Sequence, residues 1–315
     1  AGAWLGWNRY QQFLQTPLQI PAAGTVFLLP PGSTGNDIVS SLDRPGLSPT
    51  GWQWKLLIRL EPHVYRAGDY RLDAGLLPRE VLAKLASCEV IQYRITLVEG
   101  WTFRQFAAAI AANRVLEHTL DLSDPYTGSE LGLEIEHPEG WFIPETYQFT
   151  SGDSDRDILL RAQTAMREQL QQAWDSRVDD LPLDSPYEML ILASIIEKET
   201  ALDAERDRVA GVFTRRLKLG MRLQTDPTVI YGLGETFDGD IRRRDLQTDT
   251  PYNTYTRHGL PPTPIAMPGP ASLAAAARPA EGEALYFVAD GKGGHTFSAT
   301  LEEHQAAVRK LIGKN

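Results

Sequence analysis

The sequence has a single cysteine, Cys88, in 315 residues, so no disulfide can form within the chain. It has no long apolar run. The longest, Met189 to Ile196, is eight residues, far short of the ~20 a spanning helix needs. Its six histidines show no metal-ligand spacing, there is no Cys/His cluster, and no Gly-x-Ser-x-Gly elbow is present. Gly291-Lys-Gly-Gly294 lacks the Gly-x-x-x-x-Gly-Lys-Ser/Thr frame of a phosphate loop. Excess positive charge is also missing: 31 Lys and Arg stand against 41 Asp and Glu, a formal charge of −10, which disfavours general nucleic-acid binding. What remains is ordinary globular material, 42% apolar and 23% charged, long enough for one large or two modest domains.

The opening, Ala1 to Leu14, is unusually aromatic, with Trp4, Trp7, Tyr10 and Phe13. It reads either as a segment at a membrane interface or as an amphipathic helix docked on the protein's own core. Residues 24–73 read strand, helix, helix, strand. Gly24–Leu29 is the first strand and Ser33 or Thr34 caps a helix bearing Ile38, Val39 and Leu42. Ser48-Pro49 starts a second helix bearing Trp52, Leu56, Leu57 and Leu60, and Gly68–Leu72 returns as a strand. Pro78 opens a third helix. A strand over Ile91–Val98 precedes the capping box Thr102-Phe-Arg-Gln105. Residues 121–150 read as loop. Helices follow over Asp155–Trp174, Tyr187–Thr200 and Asp203–Gly220, with a short one over Asp226–Gly232. Residues 232–270 are mostly loop, and Leu285–Ala289 and His295–Phe297 flank a turn before a C-terminal helix capped by Thr300 and Glu303.

Chemistry concentrates where the apolar run ends, in Ile195-Ile-Glu197-Lys-Glu199-Thr200. Glu197 and Glu199 point roughly 200° apart on a helix, so one of them meets the buried face. A desolvated carboxylate has a raised pKa, which suits a general acid at neutral pH. The plainer alternative is that both are solvated and paired with Lys198, Arg206 or Arg208. The basic stretch Arg206, Arg208, Arg215, Arg216, Lys218 and Arg222 reads as salt bridges or polar surface, with a bound anionic substrate as the sharper alternative. Gln224-Thr-Asp226 and Tyr252-Asn-Thr-Tyr255 put amides, hydroxyls and rings side by side, a set that suits carbohydrate. Asp226 also reads as a plain helix cap.

Six segments together resemble the endolytic murein transglycosylase (MltG, YceG-like) family. They are Leu192-Ala-Ser-Ile-Ile-Glu-Lys-Glu-Thr200, Glu205-Arg-Asp207, Gly220–Gly232, Tyr252–Tyr255, Gly259-Leu-Pro-Pro262 and Tyr286–Phe297. The resemblance is dense from about residue 94 to 310 and looser over 24–90. It implies an α+β fold: a juxtamembrane segment over 1–20, a small LysM-like βααβ module over 21–93, and a mixed α/β catalytic domain with a glycan-binding cleft over 94–315. It implies a bacterial enzyme that cuts peptidoglycan glycan strands internally between MurNAc and GlcNAc, leaving 1,6-anhydro-MurNAc ends, with no cofactor and no metal. Glu197 takes the catalytic place. Glu145, Gln224, Thr225, Asp226, Asn253 and Tyr255 line the cleft, and Glu199 and Arg208 support it. The family further implies an N-terminal membrane helix absent from this sequence, a single-pass protein of the inner membrane with its catalytic part in the periplasm, and cell-wall synthases as partners. The alternatives from other classes are a non-catalytic glycan-binding scaffold and a lysozyme-type muramidase.

Overall fold

The structure is a computed structural model that describes residues 2–43, 46–48, 51–87, 89–122 and 137–313. Cys88, Pro49 and the first part of the expected 121–150 loop, 123–136, lie outside the described residues. The fold is mixed: helices with small two-stranded sheets, an α+β arrangement. The chain forms two compact units. One comprises Ala1–Ile95, Asn113–Thr119 and Tyr147–Asp155; the other comprises Thr96–Ala112, Leu120–Thr146 and Arg156–Asn315.

In the first unit, α1 (Gly2–Leu14) buries Tyr10 and Leu14 and sets the Phe13 ring edge-on to Trp54 at 5.1 Å. Its other half is open: Trp4 and Trp7 are 66% and 55% exposed. β1 (Thr25–Leu29) and β2 (Gly68–Leu72) pair antiparallel, Thr25 opposite Leu72. Between them run α2 (Gly35–Asp43) and α3 (Trp52–Leu60), and α4 (Pro78–Ala86) follows. Asp37 accepts hydrogen bonds from the Thr34 amide and hydroxyl, closing the first turn of α2. α3 departs from the expected face. Gly51 is its N-cap, and the buried residues are Trp54 and Leu57, while Trp52 and Leu60 are exposed. Trp54, not Trp52, has a buried polar anchor: its Nε1 donates to Ser48 Oγ at 3.0 Å, which suits that indole to the inside.

In the second unit, α5 (Phe103–Ala111) starts on the expected Thr102–Gln105 capping box. β3 (Tyr93–Thr96), most of which, like most of its partner strand, belongs to the first unit, is shorter than the 91–98 strand read from the sequence. It pairs with β4 (Thr146–Phe149), a strand inside the segment read as loop. α6 (Asp155–Asp175) buries Ile158, Leu159, Ala162, Met166 and Leu170 at helical spacing. α7 (Pro186–Glu199) starts on Ser185, whose hydroxyl accepts from the Glu188 amide, with Pro186 in the first turn. Every residue from Met189 to Ile196 is buried, so this helix is apolar all round and packs inside other helices. Each such Leu or Ile contributes about 1.5–3 kcal/mol relative to exposure.

Around α7 pack α8 (Asp203–Lys218), α9 (Asp226–Leu233) and α11 (Pro270–Ala277), with α10 (Arg243–Gln247) between them in sequence. Neither α10 nor α11 was expected, because Pro270 followed by alanines carries no apolar stripe. The Asp290 carboxylate closes the hairpin between β5 (Tyr286–Ala289) and β6 (His295–Ser298) by accepting the Lys292 and Gly294 amides. α12 (Leu301–Ile312) ends the described chain.

Candidate active site

The last turn of α7 sends its two glutamates to different surroundings. Glu197 turns toward the start of α11. One oxygen accepts from the Gly269 amide at 2.9 Å and the Ser272 hydroxyl at 2.7 Å, and the Arg206 Nη2 lies 3.9 Å from the other. Its side chain is 7% exposed. In effect it caps α11 from a distance, filling the role of an N-cap acceptor at the positive end of the helix. Gly269 permits this: a Cβ there would collide with the Glu99 carboxylate.

Glu199 faces a cavity of about 450 Å³, lined in part by Gln224, Asp226, Tyr255, Arg216 and Tyr286. The Thr225 hydroxyl donates to the Glu199 carboxylate. Burial pushes the Glu199 carboxyl up, and the Asp226 charge pushes the same way. The Thr225 hydrogen bond and the His295 and Arg216 charges oppose it. Beside it, Tyr255 Oη donates to Asp226 at 2.5 Å, and burial together with Asp226 raises the phenol.

The cavity wall is laced by hydroxyls. The Thr225 amide donates to Thr254 Oγ1 at 3.1 Å, the Gln224 amide to the Thr254 carbonyl at 3.2 Å, and Thr228 Oγ1 lies 2.8 Å from Thr254 Oγ1. This holds Gln224 at φ 49°, the one non-glycine residue among the described ones in the left-handed region. Such a conformation costs roughly 1 kcal/mol or more and persists where the surroundings fix it.

Several expected roles need correction. Asp226 is not the cap of α9: Thr225 holds the N-cap position without a side-chain cap, and Asp226 bonds Tyr255. Asn253 is buried and clamps its own loop, its amide donating to the carbonyls of Asp245, Leu246 and Thr248 and its oxygen accepting the Tyr255 amide. Glu145 is exposed, gives its backbone carbonyl to Leu97, and does not line the cavity. Arg208 does not hold Glu199; its guanidinium lies 4.0 Å over the Phe297 ring. His295 instead pairs with Glu205, its Nδ1 2.8 Å from one oxygen and its amide donating to the other at 3.0 Å.

Two charged residues escaped the sequence reading. Glu139 is 6% exposed, accepts from the Phe103 amide and Tyr231 Oη, both at 3.0 Å, and is pushed up to about 7 by burial. Arg216 had been grouped with a basic surface, yet it is 7% exposed and lines the cavity. Its i−3 and i−4 neighbours Phe213 and Val212 are buried, and that stripe was the signal available.

The sequence matches the model of the YceG-like family over residues 27–310. It is 32% identical over 323 residues to a Bacillus subtilis protein named endolytic murein transglycosylase, covering 96% of this chain and 89% of that one. A protein of the same name from Streptococcus pneumoniae is 25% identical over 348 residues, 96% of this chain and 61% of the other. A crystal structure of a YceG-like protein from Listeria monocytogenes aligns with TM-score 0.58 at 30% identity, covering 90% of this chain and 98% of that one. The chain therefore belongs to the YceG-like family.

Proposed function

We propose that this protein is a lytic transglycosylase that cleaves the MurNAc–GlcNAc bond inside peptidoglycan strands, and that Glu199, not Glu197, is its acid and base. One observation carries the assignment. Of the two glutamates ending α7, Glu199 lines the cavity and is pushed up by burial, while Glu197 is spent on the start of α11. The relatives' shared name, endolytic murein transglycosylase, supports the substrate class.

Protonated Glu199 donates to the glycosidic oxygen as the C1–O bond breaks. The C6 hydroxyl of the same MurNAc attacks C1 and passes its proton to the Glu199 carboxylate. A 1,6-anhydro end forms, no water is consumed, and the acid is regenerated. Proximity of the C6 hydroxyl replaces an activated water, so one carboxylate suffices. Thr225 orients Glu199, and the Asp226–Tyr255 pair and Gln224 orient the sugar.

Asp226 is a second carboxylate in the cavity and is the observation that favours a lysozyme-type hydrolase. Mass spectrometry of digested glycan strands separates the readings. Anhydro ends are lighter than hydrolysed ends by one water, and a binding scaffold gives no product. Hydrated ends alone would overturn the transglycosylase reading.

The order β1-α2-α3-β2 with an antiparallel pair supports a LysM-like glycan-binding module over 21–93. The exposed Trp4, Leu5 and Trp7 on α1 support a segment at a bilayer interface. A peptidoglycan substrate would place the catalytic part in the periplasm, where cell-wall synthases work. Among the described residues no helix is long and apolar enough to cross a membrane.

A further inference from the structure

Arg216 uses only part of its hydrogen-bonding capacity. Its Nε donates to the Leu285 carbonyl at 2.7 Å, and its Nη1 donates to the Leu223 carbonyl at 2.8 Å and the Arg222 carbonyl at 3.2 Å. The guanidinium lies 5.0 Å over the Tyr286 ring, which itself stacks on His304. The side chain is thus fixed in position. Its Nη2 has no acceptor among the described residues, and it is not one of the sealed, unpartnered buried atoms, so it opens on the cavity that Arg216 lines. Glu199 and Asp226 share that cavity, bonded to Thr225 and Tyr255, and among the described residues no ion pair joins either of them to Arg216. Among the described lining residues, it is the one side chain that is always cationic.

Nη2 offers the cavity two N–H groups that no residue uses, and an occupant that displaces water from them keeps them satisfied only if it brings a strong acceptor oxygen. In a strand of alternating GlcNAc and MurNAc, hydroxyls and N-acetyl carbonyls occur on both sugars and carry no register. Only MurNAc carries the 3-O-lactyl group, which ends in a carboxylate on bare strands or in an amide carbonyl where a stem peptide is attached. A planar, fixed guanidinium is matched to that oxygen.

We propose that Arg216 is the specificity-determining residue of the site. It receives the lactyl oxygen through Nη2 and so sets MurNAc, rather than GlcNAc, at Glu199. This rests on the reading of the cavity as a glycan site and adds to it the feature that selects which of two chemically similar bonds is cut.

The test is a ratio of affinities, measured by calorimetry on the full chain carrying Glu199→Gln so that nothing is cleaved. The ligands are chitotetraose, which lacks lactyl groups, and alternating GlcNAc–MurNAc tetrasaccharides with and without stem peptides. With Arg216 present, the lactyl-bearing ligands bind about 10- to 100-fold more tightly than chitotetraose, the effect of one charge-assisted hydrogen bond. Arg216→Gln brings the ratio to about one, and Arg216→Lys restores it in part. A purely structural lesion weakens all ligands alike and leaves the ratio untouched. An unchanged ratio in Arg216→Gln therefore overturns this inference alone, whereas no binding of any ligand with Arg216 present overturns the glycan reading as well. A preference confined to the bare strand identifies the carboxylate as the acceptor, and an equal preference identifies the carbonyl oxygen common to both forms.

Discussion

Glu197 and Glu199 are two residues apart on one helix, and they end in regions that differ in almost every respect. The Glu197 region is closed. Its carboxylate is met by a backbone amide, a hydroxyl and, farther off, a guanidinium, and its side chain is buried. The Glu199 region is open on one side. Its carboxylate has one hydroxyl donor and a cavity in front of it. A carboxylate saturated by fixed donors is suited to holding structure, and one desolvated beside open space is suited to moving a proton.

The largest effect expected from this contrast is on turnover. Glu199→Gln should lower glycan cleavage by about 1,000-fold or more while the thermal midpoint stays within a few degrees. Glu197→Gln should keep activity within about tenfold, because the amide oxygen still accepts from Gly269 and Ser272. Loss of activity in Glu197→Gln with retention in Glu199→Gln, read from anhydro-ended products, would reverse the two roles.

Stability should show the opposite order. Glu197→Ala leaves the Gly269 amide and the Ser272 hydroxyl without their acceptor in a buried setting and removes the charge facing Arg206, a loss of about 2–4 kcal/mol by denaturant unfolding. Glu199→Ala removes only the partner of Thr225 and should cost about half as much or less. Equal losses would erase the distinction between a holding and an acting carboxylate.

Glu139 supplies a third buried carboxylate that separates burial from catalysis. Its folded pKa, about 7, lies above the ordinary glutamate value of 4.5. Its contribution is therefore fully present below pH 4.5 and is lost as pH rises through 7. Glu139→Gln should flatten the fall in stability between those values by up to about 3 kcal/mol, measured from unfolding midpoints at pH 5 and pH 8. An identical pH dependence in both proteins would remove Glu139 as its source.

The smallest effect is on the basic limb of the activity profile. The Thr225 hydrogen bond lowers the Glu199 pKa and the Asp226 charge raises it. Thr225→Val should move the limb of kcat/KM, where the acid deprotonates, to higher pH, and Asp226→Asn should move it to lower pH. Shifts of the same sign in both variants would show that another group sets the limb.

Much of the architecture was legible because local signals and periodicity agreed. Thr102 with Gln105, Thr300 with Glu303 and the apolar spacing of α6 all mark elements that the structure contains. Illegible were β4, which exists only because β3 offers it a partner, and α11, whose alanines pack against α7 with no stripe of their own. α11 was also the missing piece of the site. Without its amide and Ser272, nothing in Ile-Glu-Lys-Glu-Thr distinguishes the two glutamates.

By itself the sequence determined the helices and strands that carry caps and periodic apolar faces, and through its motifs the family and the short stretch that holds the proposed acid. Only the tertiary structure decided which carboxylate is consumed by a helix start 72 residues away and which faces a cavity. It also decided that two arginines of the basic stretch, Arg206 and Arg216, are buried, and that Arg216 lines the cavity. The physical reason is that hydrogen-bond saturation and desolvation belong to a place in space, assembled from segments distant along the chain. Residue order fixes which groups are available, and packing fixes which of them remain unsatisfied.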